Sequence, residues 1–213
     1  DKPSLALIQG HGEPQPNQMI QAMQALSVIY NMESYDLAVE PAIPARYQAV
    51  LLFNPVDSLP YDQYGKLNDY LSKGGKVIVA ANAVNGDLST AAGTVVNHNV
   101  FQWLASLGVN VEPSFVIDAA CAKVTVQQQR TGFFNFASQI SFPYIPLMNK
   151  FPDHPATKGL EAVLFQFASP IQFSSGVEGS FFPIVTTSEK AGVQQAPITF
   201  DVQRQWTQAD FPM

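Results

Sequence analysis

The residues whose types and spacing best suit chemistry lie in one short run, Gly10-His11-Gly12-Glu13, between an apolar segment and two prolines. His11 and Glu13 could transfer protons or share a metal ion. The same run also suits a purely structural turn, because its glycines permit tight geometry and Glu13 precedes a predicted helix whose N-terminus favours negative charge. Whether the protein is an enzyme depends on which of these explanations holds.

A dinucleotide-binding loop is the first chemical possibility. Glycines that follow a strand, with Glu40 at the end of the next predicted strand, match part of that fingerprint. However, Gln15 stands where the third glycine is needed. Pro14 and Pro16 also remove two N–H groups from the turn that would cradle a pyrophosphate. The sequence therefore predicts no nucleotide cofactor.

Metal-dependent chemistry and nucleophilic chemistry are the second and third possibilities. His98 and His154 are the only other histidines, and each is isolated in the sequence, so no metal site is predicted. Cys121, the single cysteine, lies in "DAACAKV" without the flanking glycines of a nucleophile elbow. One cysteine also excludes an internal disulfide. We predict no catalytic residue, no metal and no cofactor.

Composition narrows the class of protein. The chain has 213 residues, a net charge of −6 and a pI near 4.9, and its 11 basic residues form no cluster, which argues against nucleic-acid binding. Only 13% of residues are charged, about half of the usual ~25%. No apolar run approaches the ~18–20 residues of a membrane span. Because the sequence starts at Asp1, we expect a soluble piece excised from a longer, membrane-anchored protein.

Strands and helices alternate in the first half of the chain. Short apolar runs predict strands, and amphipathic segments that end at glycine or asparagine predict helices. The predicted strands are 4–10, 35–40, 49–53 and 76–81, and the predicted helices are 17–31, 61–75 and 98–109. This order is typical of a mostly parallel sheet covered on both faces, which is an α/β fold.

The second half is rich in β-formers. Predicted strands lie at 123–129, 164–175 and 181–188, with a short helical or turn segment at 154–163. No composition break marks a linker. We therefore predict a single α/β domain over 1–213, with an alternating half at about 1–112 and a β-rich C-terminal extension at about 113–213.

Polar residues at the ends of predicted strands are the candidate ligand-binding set, because ligands of doubly wound folds collect at the carboxyl ends of the strands. The predicted strand-end pocket comprises His11, Glu13, Asn54, Asn82 and Ser188. Aromatic residues of the β-rich half form a second candidate, since their rings could stack on sugars. These are Phe133, Phe134, Phe136 and Tyr144.

An ordered set of motifs covers nearly the whole chain. In sequence order these are "LALIQGHGEP", "VLLFNPVDSLPYDQYGKLNDYLSKGGKVIVAAN", "WLASLGVNVEPSFVID", "FPDHPATKGL" and "FPIVTTSEKA". The set resembles the extracytoplasmic domain of gliding-motility-type auxiliary proteins of ABC transporters, an uncharacterised auxiliary family. Two positions depart from the pattern: Asn54 stands where glycine is usual, and Asn82 where aspartate is common.

The resemblance implies a three-layer sandwich that is flavodoxin-like or class I glutamine amidotransferase-like, without the amidotransferase cysteine. It also implies a bacterial protein whose soluble domain lies on the periplasmic or extracytoplasmic side of the inner membrane, anchored by segments outside this chain. Permease and ATPase subunits are the implied partners. A related domain occurs in an intraflagellar-transport protein, which points to a scaffold.

A non-enzymatic scaffold or binding domain is thus the leading hypothesis. Two further hypotheses stay open at this stage. One is a periplasmic domain that binds a small sugar or peptide. The second is a degenerate amidotransferase-like hydrolase that uses His11 with Glu13, or Cys121.

Overall fold

The computed structural model describes residues 2–127, 137–174 and 181–212. The chain divides into two compact units. The first comprises Asp1–Ala81 with His98–Trp103, and the second comprises Asn82–Asn97 with Leu104–Met213. The single domain expected from the sequence stays a prediction. In the described ranges, no helix has both the length and the apolar character needed to cross a bilayer.

A four-stranded parallel sheet organises the first unit. Its elements are β1 (Ser4–Gln9), α1 (Ile20–Ser27), β2 (Asn31–Asp36), β3 (Tyr47–Phe53), α2 (Tyr61–Ser72) and β4 (Val77–Ala80). The strand order is β2-β1-β3-β4, and every pair is parallel. The apolar strands β1 and β3 lie at the centre because continuous apolar runs suit strands that are buried on both faces.

Alternate residues of the central strands form two buried faces. Met19, Met23 and Leu26, at the start of α1 and along it, pack on one of them. That face consists of Leu5, Leu7, Ala49 and Leu51. The opposite face is also buried and consists of Ala6, Ile8, Val50 and Leu52. Both faces follow from the period of two in a strand.

Helix α2 places aromatic side chains inward, as its spacing predicts. Tyr64, Leu67 and Tyr70 are buried, and the Tyr70 hydroxyl donates to the Tyr47 carbonyl of β3 at 2.8 Å. The helix stops before Gly74, whose φ of +86° favours glycine. Gly75 follows, and a Cβ there would lie 2.4 Å from the Tyr70 ring.

The predicted helix at 17–31 and strand at 35–40 are wrong in their bounds. A 3-10 turn over Pro16–Gln18 precedes α1, which ends at Ser27, and β2 begins at Asn31. Tyr35 is the one residue of this edge strand that is buried. The strand therefore lacks the apolar run by which strands are recognised, and its pairing with β1 fixes it instead.

Helix α3 (Val100–Ser106) begins in the first unit. The second unit is built of small antiparallel sheets. Its strands are β5 (Val84–Asp87), β6 (Ala92–Val95), β7 (Val109–Val111), β8 (Ser114–Asp118), β9 (Cys121–Gln127), β10 (Ala137–Met148), β11 (Val163–Leu164), β12 (Ile171–Phe173), β13 (Ala191–Gln195) and β14 (Ile198–Thr199). The pairings are β11-β10-β9, β12-β7, β13-β8 and β14-β6-β5. An aromatic core around Phe115 contains or contacts residues of β5, β8, β9, β10 and β14.

Two predicted strands of this unit are corrected. The run 181–188 is not a strand, and the strand of this region, β13, begins later. Among the described residues of the run 164–175, the strand residues are Leu164, the last of β11, and β12. Proline explains part of the difference, because Pro170 and Pro183 lack the N–H group that a strand ladder uses.

Candidate functional site

The Gly10–Glu13 turn leaves the carboxyl end of β1 with two residues in the left-handed region. Gly10 has a φ of +117° and Gly12 a φ of +75°. A Cβ on Gly12 would lie 2.9 Å from the Val56 Cβ atom. The glycines are therefore needed for backbone shape and for close approach to the loop after β3.

Glu13 folds back onto His11. One carboxylate oxygen accepts from the His11 main-chain N–H at 2.7 Å, and the other lies 3.1 Å from His11 Nδ1. The Glu13 side chain is 0% exposed and that of His11 is 7% exposed. Because a carboxylate only accepts, Nδ1 carries the proton in this pair. Each group thus compensates for the burial of the other.

The turn is tied to two neighbouring segments of the first unit. The His11 carbonyl accepts from the N–H groups of Val56 and Asp57, both at 2.8 Å. The Asp57 carbonyl in turn accepts from His98 Nε2 at 2.7 Å. His98 Nδ1 accepts from the N–H of Val100, the first residue of α3, at 3.0 Å. Both His98 nitrogens are occupied, so His98 positions the loop and is unsuited to bind metal.

Asn99 completes this network, although the sequence patterns did not mark it as a candidate. Its side chain accepts from the Leu59 N–H at 3.2 Å and from the Tyr64 hydroxyl at 2.7 Å, and donates to the Leu59 carbonyl at 2.7 Å. Burial raises the pKa of Tyr64 above its ordinary value, which keeps the hydroxyl a donor. The sequence feature that could have identified Asn99 is an asparagine immediately before a helix.

Asn54 and Asn82 make weaker contributions. Asn54, in the first unit, is exposed and has a φ of +42°, which asparagine tolerates better than most residues. Its N–H donates to the Ala80 carbonyl at 2.7 Å. Asn82, in the second unit, is exposed and reaches the Gln166 carbonyl only at 3.5 Å. The residue type of Asn54 therefore fits its loop geometry, and the ligand-binding role of both asparagines stays a prediction.

Ser188 lies in the second unit and serves a buried carboxylate. Its hydroxyl and its N–H donate to Asp118 at 2.6 and 2.7 Å, and the Ala120 N–H donates to the same carboxylate at 2.8 Å. Asp118 is 0% exposed. This arrangement joins the end of β8 to the segment before β13.

Replacing Ser188 with alanine is expected to lower the free energy of unfolding by about 2 kcal/mol, because a hydrogen bond to a buried charge is lost. Chemical denaturation measures the change. Thr187→Ala is the control, since Thr187 is exposed and its side chain has no hydrogen-bond partner among the described residues. Equal stability of the two variants would contradict a structural role for Ser188.

Cys121 lies at the start of β9 and is half-buried. Burial raises the pKa of the Cys121 thiol, although a hydrogen bond with the Phe142 main chain opposes this shift. A raised pKa favours the thiol over the nucleophilic thiolate. The environment therefore does not activate this cysteine.

Cys121 is expected to react more slowly with iodoacetamide at neutral pH in the folded chain than in the chain unfolded by urea. Mass spectrometry of the alkylated fraction over time gives both rates. The unfolded chain is the matched control because it holds the same thiol at its ordinary pKa. Faster reaction in the folded state would contradict this account and favour a catalytic thiol.

Of the four aromatic candidates, Tyr144 lies in the described part of the chain. Tyr144 is buried, and its ring packs against Phe142, Phe200 and Trp206 at centroid distances of 5.2, 4.8 and 5.6 Å. It is a core residue, which contradicts the alternative that its ring stacks on a sugar. Phe133, Phe134 and Phe136 lie outside the described residues.

In the described ranges, no group of three histidine, cysteine, aspartate or glutamate side chains is placed so that it could hold a metal ion. The geometry brings His11 and Glu13 together at the end of β1, beside the loop that begins at Asn54. It pairs Ser188 with Asp118 in the second unit. In each pair the carboxylate is buried and accepts hydrogen bonds from its partner residue.

Known proteins resemble this chain in fold and in sequence. A solved structure, the "mmIFT52 N-terminal domain", superposes with a TM-score of 0.58 over 92% of this chain and 77% of that chain, at 12% identity, which is a likeness of fold alone. No curated protein sequence gives a significant match. The sequence model of the ABC-type uncharacterized transport system family matches residues 2–213. The chain therefore belongs to this family, which indicates an auxiliary component of an ABC-type transport system.

Proposed function

We propose that this chain is a non-enzymatic auxiliary domain, a scaffold or binding module, of a bacterial ABC-type transport system. Its partners are the permease and ATPase subunits of that system. The observation that carries the proposal is the internal use of the Gly10–Glu13 turn. Both carboxylate oxygens of Glu13 lie against His11, and the His11 carbonyl holds the neighbouring loop.

This arrangement supports a structural role over catalysis. A general acid or base must come within hydrogen-bond reach of the substrate proton. The Glu13 side chain is 0% exposed, and its carboxylate is already hydrogen-bonded to His11. The raised pKa of Cys121 likewise argues against this thiol as a catalytic nucleophile.

The fold and location complete the proposal. The strand order β2-β1-β3-β4 supports a flavodoxin-like or amidotransferase-like sandwich, because flavodoxin-like sheets begin with the same order. We place the domain on the extracytoplasmic side of the inner membrane, anchored by segments outside this chain, in a system of the gliding-motility type. The family membership and the resemblance of the motifs support this placement.

Affinity purification tests the proposal. The full-length protein is tagged in its host, the membranes are solubilised gently, and co-purifying proteins are quantified by mass spectrometry against an untagged strain. We expect an ABC ATPase and a permease to be enriched together. A tagged protein that purifies from membranes without either subunit would contradict the proposal.

A further inference from the structure

The carboxyl end of the parallel sheet carries acidic side chains, all of them in the first unit. Asp36 is the last residue of β2, Glu40 and Asp57 lie in the loops that follow β2 and β3, and Asp62 lies in the first turn of α2. We call these four residues the acidic end. Glu40, Asp57 and Asp62 are exposed, and in the described part of the chain none of the four forms an ion pair.

The cations of the first unit do not neutralise this end. Four of them lie at the other end of the sheet, within two residues of the start of a strand or at the C-cap of α2: Lys2, Arg46, Lys73 and Lys76. The ammonium of Lys66 is the fifth, and it donates to the main-chain carbonyls of Leu37 and Glu40 at 2.6 and 2.8 Å. The carboxylates of the acidic end therefore keep a negative field that favours a cation.

Two of these carboxylates flank the Gly10–Glu13 turn. The Asp36 Oδ1 atom would lie 3.4 Å from a Cβ on Gly10, and the Asp57 Oδ2 atom would lie 3.6 Å from a Cβ on Gly12. Asp36 accepts from the Ala38 N–H at 2.7 Å, whereas no described residue donates a hydrogen bond to the Asp57 carboxylate. The backbone of the turn thus runs between two negative groups.

His11, between the two glycines, has one nitrogen without a partner. Because Nδ1 carries the proton, Nε2 is an acceptor. No described residue donates to Nε2, and the atom is not fully enclosed, so a donor from outside can reach it. The His11 side chain is only 7% exposed, and an acceptor with so little access to water gains free energy from a ligand that donates to it.

Exposed apolar side chains border the acidic end. Val39 and Val56 lie in the loops after β2 and β3, Tyr61 is the first residue of α2, and each is more than two-thirds exposed. Lysine and arginine have apolar stems that pack on such side chains, and the face of a tyrosine ring attracts their charged heads. The surface therefore suits a cation that also carries apolar groups.

Charge and coordination narrow the occupant further. Nucleic acid and anionic lipid would be repelled by the carboxylates. A metal ion is disfavoured, because the described residues include no group of three ligating side chains placed to hold one. A peptide with lysine or arginine beside apolar residues supplies positive charge, N–H donors and apolar contact together.

We propose that the acidic end binds a cationic peptide segment of a partner subunit, whose lysine or arginine side chains pair with its carboxylates. One of these side chains donates to His11 Nε2, and apolar residues of the segment pack on Val39, Val56 and Tyr61. The inference rests on the proposed auxiliary function, for which it supplies the contact surface in the first unit.

A phage library of random twelve-residue peptides, selected on the purified chain at low ionic strength, tests the proposal. We expect enriched peptides to carry lysines or arginines beside apolar residues. Their affinity, measured with synthetic copies, is expected to fall as NaCl is raised to about 1 M, where the Debye length is ~3 Å and exposed charges are screened.

Two double variants locate the binding surface. Asp57→Asn with Asp62→Asn is the test, and Glu161→Gln with Glu189→Gln is the matched control, because each pair removes two exposed carboxylates and the control pair lies in the second unit. Peptide affinity is expected to fall about tenfold or more in the test variant and to stay within about twofold in the control. Circular dichroism verifies that both variants are folded.

Nitrogen-15 NMR of the wild-type chain follows His11 without any substitution. The Nε2 resonance of His11 is expected to move when an enriched peptide is added, whereas the resonances of His154 in the second unit should not. Each of the following results would overturn the proposal: no enriched peptide, enriched peptides without lysine or arginine, equal affinity for the two double variants, affinity that NaCl does not change, or an unmoved His11 Nε2 resonance.

Affinity purification of the same variants separates this inference from the proposed function. Loss of the permease and ATPase with Asp57→Asn and Asp62→Asn, and their retention with the control pair, supports both. Retention with both pairs overturns the acidic end as the docking surface but leaves the auxiliary function standing. Absence of both subunits with the wild-type protein overturns the proposed function itself.

Discussion

Replacing Phe115 with alanine is expected to lower the free energy of unfolding of the second unit by about 4 kcal/mol. Phe115 is 0% exposed, and its ring packs edge-on against Phe200, Tyr144 and Phe167 at centroid distances of 5.7, 5.9 and 6.1 Å. Truncation removes the central ring of this cluster. The rings around it cannot all move inward together, so a cavity adds to the lost transfer free energy.

Urea denaturation measures this change through tryptophan fluorescence. The chain has two tryptophans, and Trp206 lies in the second unit with its ring 5.6 Å from that of Tyr144. A Trp103→Phe background therefore isolates its signal. Phe182→Ala is the control, because Phe182 is 61% exposed and should cost no more than about 0.5 kcal/mol. A loss below about 1 kcal/mol for Phe115→Ala would contradict this packing.

Replacing Glu13 with alanine is expected to destabilise the first unit by about 3 kcal/mol. The substitution leaves the buried His11 N–H and Nδ1 without their acceptor, and each unpaired buried polar group costs about 1–3 kcal/mol. It also frees the turn that holds the loop at Val56 and Asp57. Glu13→Gln keeps an acceptor oxygen and should cost about half as much.

Trp103 reports on this effect because it belongs to the first unit and stacks on Tyr64 at 5.4 Å. In a Trp206→Phe background, its unfolding transition gives the free energy for each variant. Glu40→Ala is the matched control, an exposed glutamate of the same unit that should change stability by less than about 0.5 kcal/mol. Equal transitions for Glu13→Ala and Glu40→Ala would show that the Glu13 carboxylate does not stabilise the fold.

The central strands were predictable because burial on both faces leaves a continuous apolar run, as in β1 and β3. The bounds of the edge strand β2 were not predictable, because its residues are mostly polar and its position depends on pairing with β1. The run 181–188 shows the converse. Its apolar residues predicted a strand, but strand propensity carries no information on whether a neighbouring backbone is present to pair with it.

Local contacts of the site were predictable and distant ones were not. His11 and Glu13 are two residues apart on a glycine turn, so their proximity follows from the sequence. Ser188 and Asp118 are separated by 70 residues. A single sequence gives no measure of such a contact, and Ser188 was therefore assigned to a strand-end pocket by its position after a predicted strand.

A double-mutant cycle of His11→Ala and Glu13→Ala tests the central claim, that the Gly10–Glu13 turn is structural, most directly. Unfolding free energies of the wild type, both single variants and the double variant give the coupling between the two residues. We predict that both single variants are destabilised, with a coupling of about 2 kcal/mol. A coupling near zero, with single variants as stable as the wild type or more stable, would contradict the account, because residues held in place for chemistry characteristically reduce stability.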